Sequence, residues 1–283
     1  MSLKHALPGI HKKGYLLFLF EQISFPRKET PMETDFIEIT NENIDHEHLC
    51  CIIRSKAAHP GVETKRQWLK DRLDEGHVFR KLNSKDCVFI EYAPLEKAWV
   101  PITGENYMYI YCLWVQGAPK GHGYGRELMQ HCIDDARRQG RSGVCMIGAD
   151  KQKSWLSDQN FAMKFGFVTA DRTSNGYELL ALSFDGTLPR FTDDARTCKT
   201  NATGLVIYYD YQCPFTLQRV ETLRKYCEEH DIEASFILVD SLERAKALPC
   251  IFNNWAVFYD GDFITVNQID DTMLEKIIAK ARK

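Results

Sequence analysis

Lys120-Gly121-His122-Gly123-Tyr124-Gly125-Arg126 places three glycines at alternate positions between an apolar, aromatic run, Tyr107–Val115, and an amphipathic one. The upstream run has the length and composition of a buried strand. In the downstream one, Leu128, Met129, Cys132, Ile133 and Ala136 form one stripe, while Glu127, Asp134, Asp135, Arg137 and Arg138 face away. That spacing predicts a helix stopped by Gly140. Glycines at a strand-to-helix junction let backbone approach a ligand and leave unpaired N–H groups at the helix start. With the helix dipole they form an anion site, suited to a pyrophosphate, around which Lys120, His122 and Arg126 add positive charge. A bare turn is the simpler alternative, but three glycines are a costly way to make one.

Two other glycine loops are excluded. A Walker loop needs Gly-Lys-Ser/Thr after four intervening residues, which is absent, and a dinucleotide fingerprint laid on Gly121 needs glycine where Arg126 stands.

Outward from the loop, Phe36–Ile39 predicts a first strand, and Thr40-Asn41-Glu42-Asn43 a cap for a helix from about Glu42 to Lys56, broken at Pro60-Gly61. A second helix follows over about Glu63–Glu75, then a hairpin of Val78-Phe79 and Cys87–Tyr92 about the polar turn 83–86. Beyond Gly140 come a short strand, Val144–Ile147, a short helix, Gln159–Phe165, and a strand, Tyr177–Phe184. Periodicity collapses from Asp185 to Thr203. A second pattern then begins: strand 205–209, helix 214–229, strand 234–239, helix 242–248, a hairpin about Asp260-Gly261, and helix 272–281, in the order βαβαββα.

The chain thus divides into an extension over 1–31, a main domain over 32–189, a linker over 190–203 and a smaller domain over 204–283. Tyr15–Phe20 behind Lys12-Lys13 has a trace of a signal peptide, but Glu21-Gln22 follows at once and no small-residue cleavage site appears.

The segment from Val115 to Gly125 resembles motif A of the GNAT acetyltransferases, Arg/Gln-x-x-Gly-x-Gly/Ala, with Lys120 at the Arg/Gln position and Gly123 and Gly125 matching. The order of elements from Phe36 to Phe184 is similar to that family's, and Phe165-Gly166-Phe167 resembles the end of its motif B. The resemblance implies an α/β (α+β) fold, with a mixed central sheet flanked by helices, and acetyl-CoA as cosubstrate. Residues 120 to 126 would hold the pyrophosphate, and backbone groups of Leu113, Trp114 and Val115 would meet the pantetheine and acetyl carbonyl. An amine would attack the thioester directly, through a tetrahedral intermediate whose oxyanion a backbone N–H stabilises.

Many members place a tyrosine as general acid four residues before the motif B glycine; here that position is Ala162. Ser154 and Tyr124 are the substitutes, or the thiolate leaves unassisted. Glu91 and Glu96 are the candidates for the base, against an ordinary surface role for both. Cys112, mid-strand beside the acetyl site, reads as a buried thiol before an acyl carrier. His46, His48, Cys50 and Cys51 fall within six residues, yet a single helix cannot converge all four on one ion, and no metal site is expected.

The C-terminal pattern resembles a thioredoxin-like fold, and the combination resembles proteins carrying a YoaP-like C-terminal domain. Cys213-Pro214-Phe215-Thr216 falls where thioredoxin-like proteins carry Cys-x-x-Cys, with Thr216 in the second cysteine's place. A thiol at a helix N-terminus is a candidate for reactivity. Pro249 is the candidate for that family's proline before the third strand.

Ten cysteines without a CxxC pair, in a chain of 283 residues, exclude a small disulfide scaffold and point to reduced thiols in the cytoplasm. A net charge of −3 offers no electrostatic footprint for nucleic acid or a membrane surface. The expected function is acetyl transfer to a primary amine of a small molecule or peptide. Its rivals are a thiol, redox or soft-metal-responsive protein acting through Cys213, and a noncatalytic acyl-CoA binder.

Overall fold

The structure is a computed structural model and describes residues 36–49, 59–151, 153–154 and 156–281, all within one compact unit. The extension expected over 1–31 lies outside the described residues.

The elements run β1 (Phe36–Glu38), α1 (Pro60–Leu73), β2 (Val78–Leu82), β3 (Val88–Pro94), β4 (Ile102–Thr103), β5 (Tyr107–Val115), α2 (Tyr124–Arg138), β6 (Gly143–Ala149), α3 (Gln159–Met163), β7 (Val168–Arg172) and β8 (Tyr177–Ser183). They continue as β9 (Arg190–Phe191), α4 (Asp193–Thr197), β10 (Leu205–Tyr209), α5 (Phe215–Glu229), β11 (Ala234–Leu238), α6 (Leu242–Lys246), β12 (Trp255–Tyr259), β13 (Asp262–Thr265) and α7 (Asp271–Ala281). A seven-stranded sheet has the order β1-β2-β3-β5-β6-β8-β7, and a four-stranded sheet the order β11-β10-β12-β13. In the large sheet β5 and β6 are parallel, joined by the α2 crossover, and their outer neighbours are antiparallel.

The stripe Leu128, Met129, Cys132, Ile133 and Ala136 lays α2 on one face of the large sheet, against Val88, Ile90, Met108, Ile110 and Val144. The opposite face, with Phe79, Phe89, Tyr109, Tyr111 and Ile147, joins Val206, Phe252, Ala256 and Phe258 in a single core. The small sheet turns its other face, Leu205, Ile207 and Val257, to Val220 and Leu223 of α5 and Leu274 of α7. The two sheets therefore share an interior.

Three local expectations are corrected. Residues 41–46 form turns and not the start of a helix: the Asn43 side chain accepts from Thr40 N at 2.9 Å and donates to Glu38 O at 2.8 Å, competing with helical bonding. Residues 50–58, with Cys50 and Cys51, lie outside the described residues. Pro60-Gly61 opens α1 instead of breaking the chain, since proline's fixed φ and missing N–H suit a first turn. Within 185–203, Arg190–Phe191 pairs with Ile102–Thr103, and Thr192 caps α4 through Ala195 N.

Candidate active site

β5 and β6 pair only where Tyr107–Tyr109 lies opposite Gly143–Cys145, although the strands run on to Val115 and Ala149. Past that point they diverge, while the other edge of β5 stays paired with β3 as far as Val115. Glu91 lies opposite Cys112 and Tyr92 opposite Ile110, so Tyr111 is an extra residue in β5, a bulge that adds local twist. The edge of β5 facing β6 beyond Tyr109 has no strand partner among the described residues, leaving backbone groups to meet an extended ligand.

The glycine loop closes the end of this opening. Gly121 and Gly123 both have φ of +86°, and a Cβ on either would meet nothing within 4 Å. The first bond inside α2 runs from Glu127 N to Gly123 O at 3.1 Å, so the amides of Tyr124, Gly125 and Arg126 precede the helical ladder. Lys120, His122 and Arg126 make no ion pair among the described residues. Open backbone, orphan amides at the head of a 15-residue helix and three basic side chains without a carboxylate partner among the described residues fit a pyrophosphate.

On the other side of β5 lies a cavity of about 410 Å³. Phe89, Tyr111, Trp114 and Leu156 give it apolar walls, Glu91 and Lys65 a charged floor, and Gln212, Cys213, Pro214, Asn253 and Asn254 of the C-terminal module its far side. Its volume is in the range of about 300–1,000 Å³ usual for small-molecule sites.

Glu91 is 1 % exposed and bonded to three protein groups at the wall of the cavity. Its Oε1 pairs with the equally buried Lys65 Nζ and meets His77 Nε2 at 2.9 Å, and its Oε2 accepts from Gln212 Nε2 at 2.7 Å. Burial opposes ionisation of Glu91, but the Lys65 ammonium and the His77 bond outweigh it and hold the carboxyl below its ordinary value. Burial also keeps the proton affinity of His77 low, so that ring is neutral and donates through Nε2. Behind Gln212, Asp210 is completely buried: its Oδ1 accepts from Gln212 N at 2.9 Å, its Oδ2 is unpartnered, and burial pushes it up to about 7.

The other expected residues fall into two groups. Trp114, Cys112, Ser154 and Cys213 line the cavity with Glu91. Leu113 and Val115 are half-buried against the α2 side of the sheet, and Tyr124 packs edge-on to Phe36 at 6.1 Å, away from the cavity. Glu96 accepts from Asn106 N at 2.7 Å and pairs with Arg141 at 3.3 Å on the surface, apart from the cavity. Ala162 is buried beneath α2. Thr216 is fully buried and accepts from Gln268 at 3.2 Å. Lys65, His77, Gln212, Asn253 and Asn254 escaped the sequence reading; only Gln212, beside Cys213, stood near a motif.

Residues 37–167 match the model of the acetyltransferase (GNAT) family, and residues 234–276 the YoaP-like model. The uncharacterized N-acetyltransferase YoaP of Bacillus subtilis (strain 168) is 38% identical over 245 residues, covering 86% of this chain and 98% of that protein. Among solved structures, a GNAT family acetyltransferase from Brucella melitensis in complex with acetyl-CoA is 12% identical, with a TM-score of 0.37 over 56% of this chain and 92% of that one. The ribosomal-protein-S18-alanine N-acetyltransferase from Escherichia coli is 13% identical, with a TM-score of 0.36 over 54% and 94%.

Proposed function

We propose, from the premise that the chain belongs to the GNAT acetyltransferase family and is an N-acetyltransferase, that it acetylates a primary amine held in the cavity beside Glu91. The observation that carries this reading is the juxtaposition of a splayed β5 edge, ending at the glycine loop, with a cavity lined by a buried carboxylate. Acetyl-CoA supplies the acetyl thioester. Residues 120 to 126 hold its pyrophosphate, and the open edge of β5 at Leu113, Trp114 and Val115 lies along its arm.

An alkylammonium must lose a proton before it can attack, since its pKa lies near 10. Glu91 is the group at the cavity able to take that proton, directly or through one water. N–H groups on the open edge of β5 stabilise the oxyanion. A thiolate of pKa near 8.5 is a good leaving group, so the place of Ala162 at the expected acid position is tolerable; Ser154 is one of the hydroxyls lining the cavity, with Ser157 and Tyr111, that could protonate it.

The walls favour a small amine on an apolar body. Among the described residues lining the cavity, the one carboxylate is already neutralised by Lys65, which leaves no anionic anchor for a polycation. Reduced, buried Cys132, Cys145, Cys227 and Cys250 support a cytoplasmic location. No helix among the described residues is long and apolar enough to cross a membrane.

The thiol rival is disfavoured by a specific observation. Cys213 opens onto the same cavity as Glu91, and the resolving position is filled by buried, hydrogen-bonded Thr216.

Glu91→Gln should leave coenzyme affinity intact and lower kcat about 10²-fold or more, measured by coenzyme A release across alkyl-, arylalkyl- and peptidyl amines. Full activity in this variant refutes the base assignment, and turnover of peptides alone refutes the small-amine assignment.

A further inference from the structure

An amide from the C-terminal module reaches the candidate base across 121 residues of sequence. We infer that Gln212 is a positioning residue for Glu91, so that the YoaP-like module is a working part of the transfer site. This inference rests on the assignment of Glu91 as base.

A carboxylate offers about four lone-pair sites on its two oxygens. Lys65 and His77 take two on Oε1, and Gln212 takes one on Oε2. One site on Oε2 stays open at a wall of the cavity. Lys65 and His77 hold one oxygen, and the Gln212 bond fixes the opposite one, so that the carboxylate is held at both ends of its plane. Gln212 is itself fixed: its Oε1 accepts from Asn254 Nδ2 at 3.1 Å, and its backbone N–H is held by Asp210. Asn254 in turn accepts from Gln268 at 3.4 Å, and its backbone carbonyl accepts from Asp210 N. The neighbouring Asn253 is anchored to β5, donating to Tyr111 O at 3.0 Å and accepting from Tyr109 Oη at 2.5 Å. The junction is tight as well as polar, for a Cβ on Gly61 of α1 would stand 1.7 Å from the Pro214 carbonyl oxygen.

This chain of bonds performs a task that hydrophobic docking alone would not need. A buried amide that donates to a carboxylate, and is itself held by a second amide, sets the orientation and the proton affinity of that carboxylate together. The titratable and charged groups around Glu91 are Lys65 on α1 and His77 before β2, both in contact with it, and, farther off, Arg72 on α1, Tyr111 and Cys112 on β5, and Asp210 and Cys213 from the C-terminal module.

Carboxyl-carbon NMR titration of the full-length protein tests the inference, with the Glu91 signal assigned from its loss in Glu91→Gln. In the wild type Glu91 should titrate below the ordinary carboxylate range. Gln212→Leu should raise its midpoint. Gln212→Glu, nearly isosteric, sets a second carboxylate against Oε2 and should raise it by about one pH unit or more, in two coupled steps. A midpoint unchanged in both variants overturns the inference. Where Gln212→Glu fails to fold, Gln212→Leu decides alone.

Turnover separates the two assignments. If Glu91→Gln is inactive and both Gln212 variants match the wild-type kcat, Gln212 positioning fails and the base assignment stands. If Glu91→Gln is fully active, the base assignment fails first. Support is a kcat lowered about tenfold in Gln212→Leu, an unchanged KM for acetyl-CoA, and activity in Gln212→Glu that recovers at high pH.

Discussion

Gly123→Ala and Gly125→Ala differ by one methyl group placed two residues apart, yet they should behave differently. At Gly123 φ is +86°, and the strain of an L-residue in that region is about 1–2 kcal/mol. No clash adds to it, because nothing lies within 4 Å of the new Cβ. At Gly125 φ is not in the left-handed region, and the Cβ would rest 3.5 Å from Phe161 and 3.6 Å from Val115, ordinary contact distances. Gly125→Ala should therefore keep its stability and its coenzyme affinity. The strain at Gly123 must surface in one of two places. If the loop keeps its shape, the variant loses about 1–2 kcal/mol of folding stability and binds coenzyme A normally. If the free loop relaxes, stability is kept and affinity falls about 5- to 30-fold, as the amides must be re-formed on binding. Denaturant unfolding and calorimetric titration with coenzyme A, on both variants, measure the two parts, whose sum should match the strain. Gly125→Ala proving the more damaging, or Gly123→Ala silent in both assays, refutes the assignment of this loop as the coenzyme cradle.

Further outcomes follow from the junction and its charges. Gly61→Ala should cost about 1–3 kcal/mol or more by overpacking, since its Cβ would overlap the Pro214 carbonyl; unfolding equilibria check this. Asp210 binds its proton more tightly in the folded state, so its contribution is complete below about 3.8 and lost as pH rises through about 7. Asp210→Asn should thus gain on the wild type between those limits by about 4 kcal/mol, flat above, in denaturant titrations across pH; a difference independent of pH would contradict the burial of that charge. Lys65→Met alone should cost about 3–5 kcal/mol by stranding the Glu91 carboxylate, and the Lys65→Met/Glu91→Gln double variant should recover most of that loss without regaining activity.

The parts of the fold written in local pattern were legible. Alternate glycines between an apolar strand and a striped helix located α2 and the open loop at its N-terminus, and the order of the C-terminal elements agrees with periodicity alone. Short pieces were not legible: β7 has an exposed Val168 and no alternation, and β4 and β9 are two residues each, made by pairing across some 88 positions. The turns at 41–46 were missed because Thr40 and Asn43 can cap a helix or a turn with the same atoms. The glutamates show the deeper limit. In sequence Glu91 and Glu96 are equivalent carboxylates five residues apart; only long-range contacts bury one with Lys65, His77 and Gln212 and leave the other on the surface with Arg141. Lys65 sits in a charged helix and has no local mark of burial, yet it is 1 % exposed.

That buried pair says why the two modules share an interior. Taking an ammonium and a carboxylate out of water costs several kcal/mol for each ion, and an apolar pair of similar volume often does as well or better. Stability alone therefore does not account for Lys65 and Glu91. The proposed base role does: an oriented carboxylate, compensated on one oxygen and open to the cavity on the other, is what amine deprotonation requires. To keep such a group dry and aligned, the site needs a second wall with its own fixed donors, and Gln212 and Asn254 supply it. The Cys213-Pro214-Phe215-Thr216 stretch holds one thiol, with Thr216 buried and hydrogen-bonded to Gln268, and the turn ahead of α5 presents Gln212, Cys213 and Pro214 to the cavity.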